Sequence, residues 1–269
     1  MRYAISIGLL LLALATTGNA QFETDVSGVG TSAGTFLEIG VGARAQAMGG
    51  AYAALSNDPS GLYYNPAGIV WVKNAQLEVM HNEWLVGTRY DFVGLLLPLP
   101  FLNSTLGTNL IMLDYGEQPV RTVERPEGTG ELWDARDYTV GLTWALALTD
   151  RFSFGLTGKY VSQKIWHETG SAMAIDLGIH YNTMLKGLKL GLAMCNFGNE
   201  IGLRGRDLDT SVDPDEKNEN IDRVPAEYKT GTYPLPLLFR FGIAYERELG
   251  RFGTALVTVD VNHPSNSTE

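Results

Sequence analysis

The chain has 269 residues, a formal net charge of −10, and a single cysteine, Cys195. An acidic chain without a Lys/Arg cluster lacks the electrostatic footprint of a nucleic-acid binder. One cysteine excludes an intrachain disulfide and any cysteine-based metal site.

The first twenty residues read as an export signal. Arg2 gives the positive start, residues 5–15 the apolar core, and Gly18-Asn19-Ala20 the small residues of a cleavage site, so the mature chain is expected to begin at Gln21. The apolar run falls short of the roughly 20 residues that a helix needs to span a bilayer.

Residues 21–74 contain few charges and no clean two-residue alternation. The run FLEIGVGARAQAMGGAYAAL at 36–55 carries only Glu38 and Arg44 as charged groups, and DPSGLYYNPAG follows at 58–68. A small-residue-rich, non-strand segment ahead of a β-rich chain reads as an inserted plug. Gly49, Gly50 and Gly61 are expected to allow close packing there. Pro66 fixes its own φ and lacks an N–H, while Asn65 can close a turn through its side chain.

From residue 75 onward the pattern turns to period two, which sends successive side chains to opposite faces. In residues 137–148, Tyr138, Val140, Leu142, Trp144 and Leu146 oppose Asp137, Thr139, Gly141, Thr143 and Ala145. In residues 236–246, Leu237, Phe239, Phe241, Ile243 and Tyr245 oppose Leu238, Arg240, Gly242, Ala244 and Glu246. One face is large and apolar. The other is small, polar or charged, with Lys159, Asp176, Lys189, Arg240, Glu246 and Asp260 expected to line a hydrated lumen. The predicted strands are 75–86, 88–98, 104–114, 137–148, 151–162, 172–181, 187–196, 236–246 and 253–262. They run about ten residues, the length of a tilted strand crossing a bilayer. Connections at one end are short, whereas 115–136, 163–171 and 197–235 at the other are long, the asymmetry of an outer-membrane protein.

These features predict an all-β fold: an outer-membrane antiparallel β-barrel with an N-terminal plug or hatch over residues 21–74 and strands over 75–269. The motifs at 36–68 resemble the opening signature of the PorV/PorQ family, and Asn65-Pro66-Ala67 resembles the hatch motif of FadL-like barrels. The resemblance implies a barrel of about fourteen strands, of which about nine are present here, so the chain is expected to be truncated at its C-terminus. It implies a non-enzymatic protein that assists type IX secretion by receiving or shuttling cargo for surface delivery. The alternative is a FadL-like channel for hydrophobic compounds.

Two groups of residues stand out as candidates for function. The first is the hatch motif, Asp58, Tyr63, Tyr64, Asn65, Pro66 and Ala67, as a possible ligand site or as plug structure alone. The second is the acidic loop at 199–233, where Asp207, Asp209, Asp213, Asp215 and Glu216 are a possible cargo-contact surface. Their spacing lacks the EF-hand glycine, so calcium is not expected. No nucleotide fingerprint, nucleophile elbow or histidine metal spacing is present, so no cofactor, metal or catalytic residue is expected. The expected partners are outer-membrane lipid, secreted cargo proteins and type IX translocon or attachment components, with no nucleic acid.

Overall fold

The computed structural model describes residues 30–214 and 223–266. The signal reading of residues 1–20, residues 21–29 of the expected plug, and Asp215 and Glu216 lie outside the described residues.

Eleven strands follow one another along the chain. They are β1 (Gln76–Glu83), β2 (Arg89–Leu99), β3 (Ser104–Pro119), β4 (Leu132–Ala147), β5 (Phe152–Ile165), β6 (Glu168–Asn182), β7 (Leu188–Gly198), β8 (Asp209–Val212), β9 (Val224–Glu227), β10 (Leu238–Glu248) and β11 (Thr254–Pro264). Nine form one antiparallel sheet in the order β1-β2-β3-β4-β5-β6-β7-β10-β11, while β8 and β9 make a separate hairpin. Every predicted strand is present. Among the described residues β1 and β11 pair on one side only, so the sheet is open.

The period-two pattern fixes which face is covered. Along β4, Val140, Leu142 and Trp144 are exposed while Thr139, Gly141, Thr143 and Ala145 are buried. Along β10, Phe239, Phe241, Ile243 and Tyr245 are exposed while Arg240, Gly242 and Ala244 are buried. Leu142 is 68% exposed and its neighbour Thr143 only 3%. On these two strands the large apolar side chains therefore point away from the rest of the protein, an inversion of the usual soluble arrangement.

The polar face is accessible only in part: Glu246 is exposed and Lys189 and Asp260 are half-buried. Lys159, Asp176 and Arg240 are buried, because residues 30–75 pack directly over them. Lys159 pairs with Asp176 at 2.6 Å and donates to Asn196 Oδ1 at 2.8 Å, so neither charge is left unpartnered.

Two expected loops are shorter than the sequence implied. Pairing of β3 with β4 continues past a bulge between Asp114 and Glu117, which reduces the predicted loop at 115–136 to residues 120–131. Strands β5 and β6 stay paired up to Ile165 and Glu168, so residues 163–171 form a tight hairpin and not a long loop. Its turn is Trp166-His167, with Trp166 at φ 52° and its ring stacked on His167 at 4.4 Å between centroids. No glycine, asparagine or proline marks this turn, and so the sequence concealed it.

Candidate functional site

Residues 30–75 contain only short helical turns, including Ala43–Ala47, Gly61–Tyr64 and Gly68–Trp71, joined by irregular backbone. Irregular backbone needs outside partners for its polar groups, and the wall supplies them. Tyr90 on β2 donates its hydroxyl to Ile39 O at 2.6 Å. Ser153 on β5 donates to Ala67 O at 2.9 Å, and Arg240 on β10 donates to Tyr63 O at 2.7 Å. On β11, Asp260 accepts from Ala53 N at 2.8 Å; on β1, Glu78 accepts from Ser60 Oγ at 2.9 Å. One compact segment thus reaches strands at both edges of the sheet, which curls around it. Its apolar side chains Phe36, Leu37, Val41 and Tyr52 form a core with Phe92, Ile111, Val161 and Ala244 of the wall.

The residues of the hatch motif come together at the centre of this packing. Asn65 is fully buried, and its amide donates to Ala53 O at 2.8 Å and to Ile179 O at 3.0 Å. Its Oδ1 accepts from Ala67 N at 3.0 Å, closing the turn across Pro66. Pro66 and Ala67 sit over Gly155 and Gly178, register partners on β5 and β6, where a Cβ on either glycine would collide with them. Gly191 and Gly242, partners on β7 and β10, likewise leave room for the backbone of Ala53 and Ala54. Gly61 has the close-packing role expected of it, lying against Ser56. Gly49 and Gly50 instead occupy positive φ at 65° and 76° with open space around them, so they serve a turn.

Tyr63 and Tyr64 flank the Arg240 guanidinium, with ring centroids 4.4 and 4.9 Å from its carbon. Among the described residues no carboxylate lies within ion-pair distance of Arg240. Two aromatic faces and the Tyr63 carbonyl take that place. Tyr64 donates to Val41 O at 3.2 Å. Asp58 accepts from Tyr52 and from Ser60 N and meets Arg44 at 3.3 Å, tying the Ala43–Ala47 helix to the turn before Gly61. Burial, before any other cause, raises the hydroxyls of Tyr52, Tyr63 and Tyr64 above the ordinary 10.0, and the hydrogen bond to Asp58 adds to the effect at Tyr52.

The second candidate group does not converge. Asp207 pairs with His167 at 2.7 Å at the tip of the β5–β6 hairpin, Asp209 opens β8, and Asp213 lies just beyond the end of that strand. Among the described residues no cluster of three or more His, Cys, Asp or Glu side chains is placed to hold a metal ion.

The sequence placed Arg240 on the inward face but did not show that it holds the segment, and it did not single out the wall residues His180 and Ser153. His180 accepts from Trp71 Nε1 at 3.0 Å through Nδ1 and faces Ala54 O at 2.9 Å through Nε2, so it joins two separate parts of the segment. The available signal was a polar residue at an inward position of an alternating strand.

The fold and site together define an antiparallel β-sheet protein whose open sheet curls around its own N-terminal segment. Compared with family models, curated proteins and solved structures, the chain shows no match.

Proposed function

We propose that this chain is a non-enzymatic outer-membrane protein whose sheet is a lipid-facing barrel wall and whose N-terminal segment is a plug. The observation that carries the proposal is the exposed apolar face. Leu77, Leu142, Trp144, Phe239, Ile243 and Val259 belong to a band that runs across the sheet from β1 to β11, and none of the described residues covers it. Water penalises such a band, and lipid accepts it. In hydrocarbon the free edges of β1 and β11 need pairing partners, since each unpaired backbone group there costs several kcal/mol.

Within that setting we favour a role in protein export of the PorV/PorQ type. The chain would receive or shuttle secreted cargo, with type IX translocon or attachment components as further partners. The packing beneath the segment supports this reading over a FadL-like channel. Tyr52, Leu62, Ile69 and Asn65 are fully buried between segment and wall, so a diffusing hydrophobic compound would first have to displace the segment. The folded loop end, with its hairpin β8–β9, offers the surface for a macromolecular partner. The test replaces residues 120–131 and 206–230 with short Gly-Ser turns in the full-length gene. Secretion should fail while membrane insertion persists. Unchanged secretion, or loss of uptake of a fatty acid or aromatic compound instead, would reject the export role.

A further inference from the structure

At the loop end, three stretches of backbone lie side by side. Thr169 and Arg204 exchange backbone hydrogen bonds of 2.8 and 3.1 Å, and Ile201 and Tyr233 exchange bonds of 2.8 and 2.9 Å. Residues 199–204 are thereby held between the start of β6 and residues 228–233. Gly170 and Gly202 allow the close approach, since a Cβ on Gly170 would press on Ile201 and on the carbonyl of Gly202. The Thr230 hydroxyl donates to Leu203 O at 2.7 Å and ties the outer stretch down. A cleft of about 680 Å³ opens over this platform, within the range of pockets that hold small ligands.

The chemistry of the cleft narrows what it could take. Arg204 and Lys229 line it, as do Glu200 and Glu227, so its formal charge is zero. None of the four forms an ion pair among the described residues. A phosphate or an acidic peptide would meet two carboxylates, and a divalent cation would meet a guanidinium and an ammonium. An apolar peptide would find a single large ring, that of Tyr228. What remains is dense and mixed hydrogen bonding. Carboxylates accept, cations donate, and the hydroxyls of Thr169 and Ser171 do either. Tyr228, 65% exposed, adds a flat apolar face beside them. Vicinal hydroxyls with an apolar ring face are the complement of that set. We infer that the cleft formed by residues 169–171, 200–204 and 227–232 is a binding site for a neutral oligosaccharide.

The inference stands on the loop geometry and is independent of whether the chain serves export. The test presents the full chain in detergent micelles to an array of neutral and acidic oligosaccharides, then titrates the retained glycans calorimetrically. Neutral glycans should be retained, and Glu227→Gln, Tyr228→Ala and Lys229→Met should each weaken binding about tenfold, the equivalent of one lost hydrogen bond or ring contact. All three side chains are exposed, so the variants should fold. Asp150→Asn, at the opposite end of the sheet, should leave binding unchanged. Retention of no neutral glycan, retention of acidic glycans alone, or neutral binding that all three cleft variants leave intact would overturn the assignment.

Discussion

Asn65 uses both ends of its carboxamide on backbone atoms, two of them in the segment and one in β6. Asn65→Ala would take a partner from Ala53 O and from Ala67 N in the interior, at about 1–3 kcal/mol each, and a second bond from Ile179 O. A loss of about 3 kcal/mol or more in denaturant unfolding is expected, and a loss below about 1 kcal/mol would show that the turn holds without its side chain. Arg240 makes a different demand, because a buried guanidinium needs the Tyr63 carbonyl and both rings around it. Arg240→Lys keeps the charge but loses the planar face that stacks between Tyr63 and Tyr64. It should destabilise the protein by about 2 kcal/mol, the order of a desolvated cation–π contact, and expose the segment to limited proteolysis. Resistance to protease equal to wild type would refute that role. The tyrosines give a pH dependence. Their hydroxyls are raised in the native state, so above pH 10 the unfolded chain loses protons that the native chain keeps. The stability they contribute is complete below that pH and declines as pH climbs toward the raised native values. Absorbance should therefore show these tyrosines ionising together with unfolding. Ionisation near pH 10 with the fold intact would contradict their burial.

At the scale of elements, the wall is shaped to receive the segment. The pairs Gly155–Gly178 and Gly191–Gly242 are neighbours only because the register places them so. Gly178→Val should push Pro66 and Ala67 off the wall without breaking the β5–β6 ladder. Strand content by circular dichroism should stay the same while segment cleavage by protease rises. Equal cleavage would mean that the dimple is not needed. Much of this level was legible in the sequence. Alternation gave all nine strands of the sheet, and it gave the correct facing of Leu142 against Thr143 and of Phe241 against Arg240. The Gly-rich run around Asn65-Pro66-Ala67 announced a segment that is not a strand. The turn that Asn65 closes onto Ala67 N was legible, but the distant partners of Asn65 and Arg240 were not, since Ile179 and Tyr63 lie over a hundred residues away and are selected by sheet register and curvature. Nor was the Trp166-His167 turn, because its residues carry no turn preference and its stacking pair shows only in three dimensions.

For the molecule as a whole, the two faces of one sheet divide the labour. The inner face holds the segment through buried polar groups, among them Ser153, His180 and Arg240, that bond its backbone carbonyls. The outer face presents branched and aromatic side chains to the surroundings. The central claim is that those surroundings are lipid. It is tested most directly with single cysteines introduced into a Cys195→Ala background at outward Leu142 and Ile243 and at inward Thr157 and Ala193. Each is labelled with an environment-sensitive fluorophore in outer-membrane vesicles and challenged with lipids brominated along their chains. Strong quenching at Leu142 and Ile243, with little at Thr157 and Ala193, is the predicted result. Outward labels that ignore the brominated lipids and respond instead to a water-soluble quencher would contradict the account.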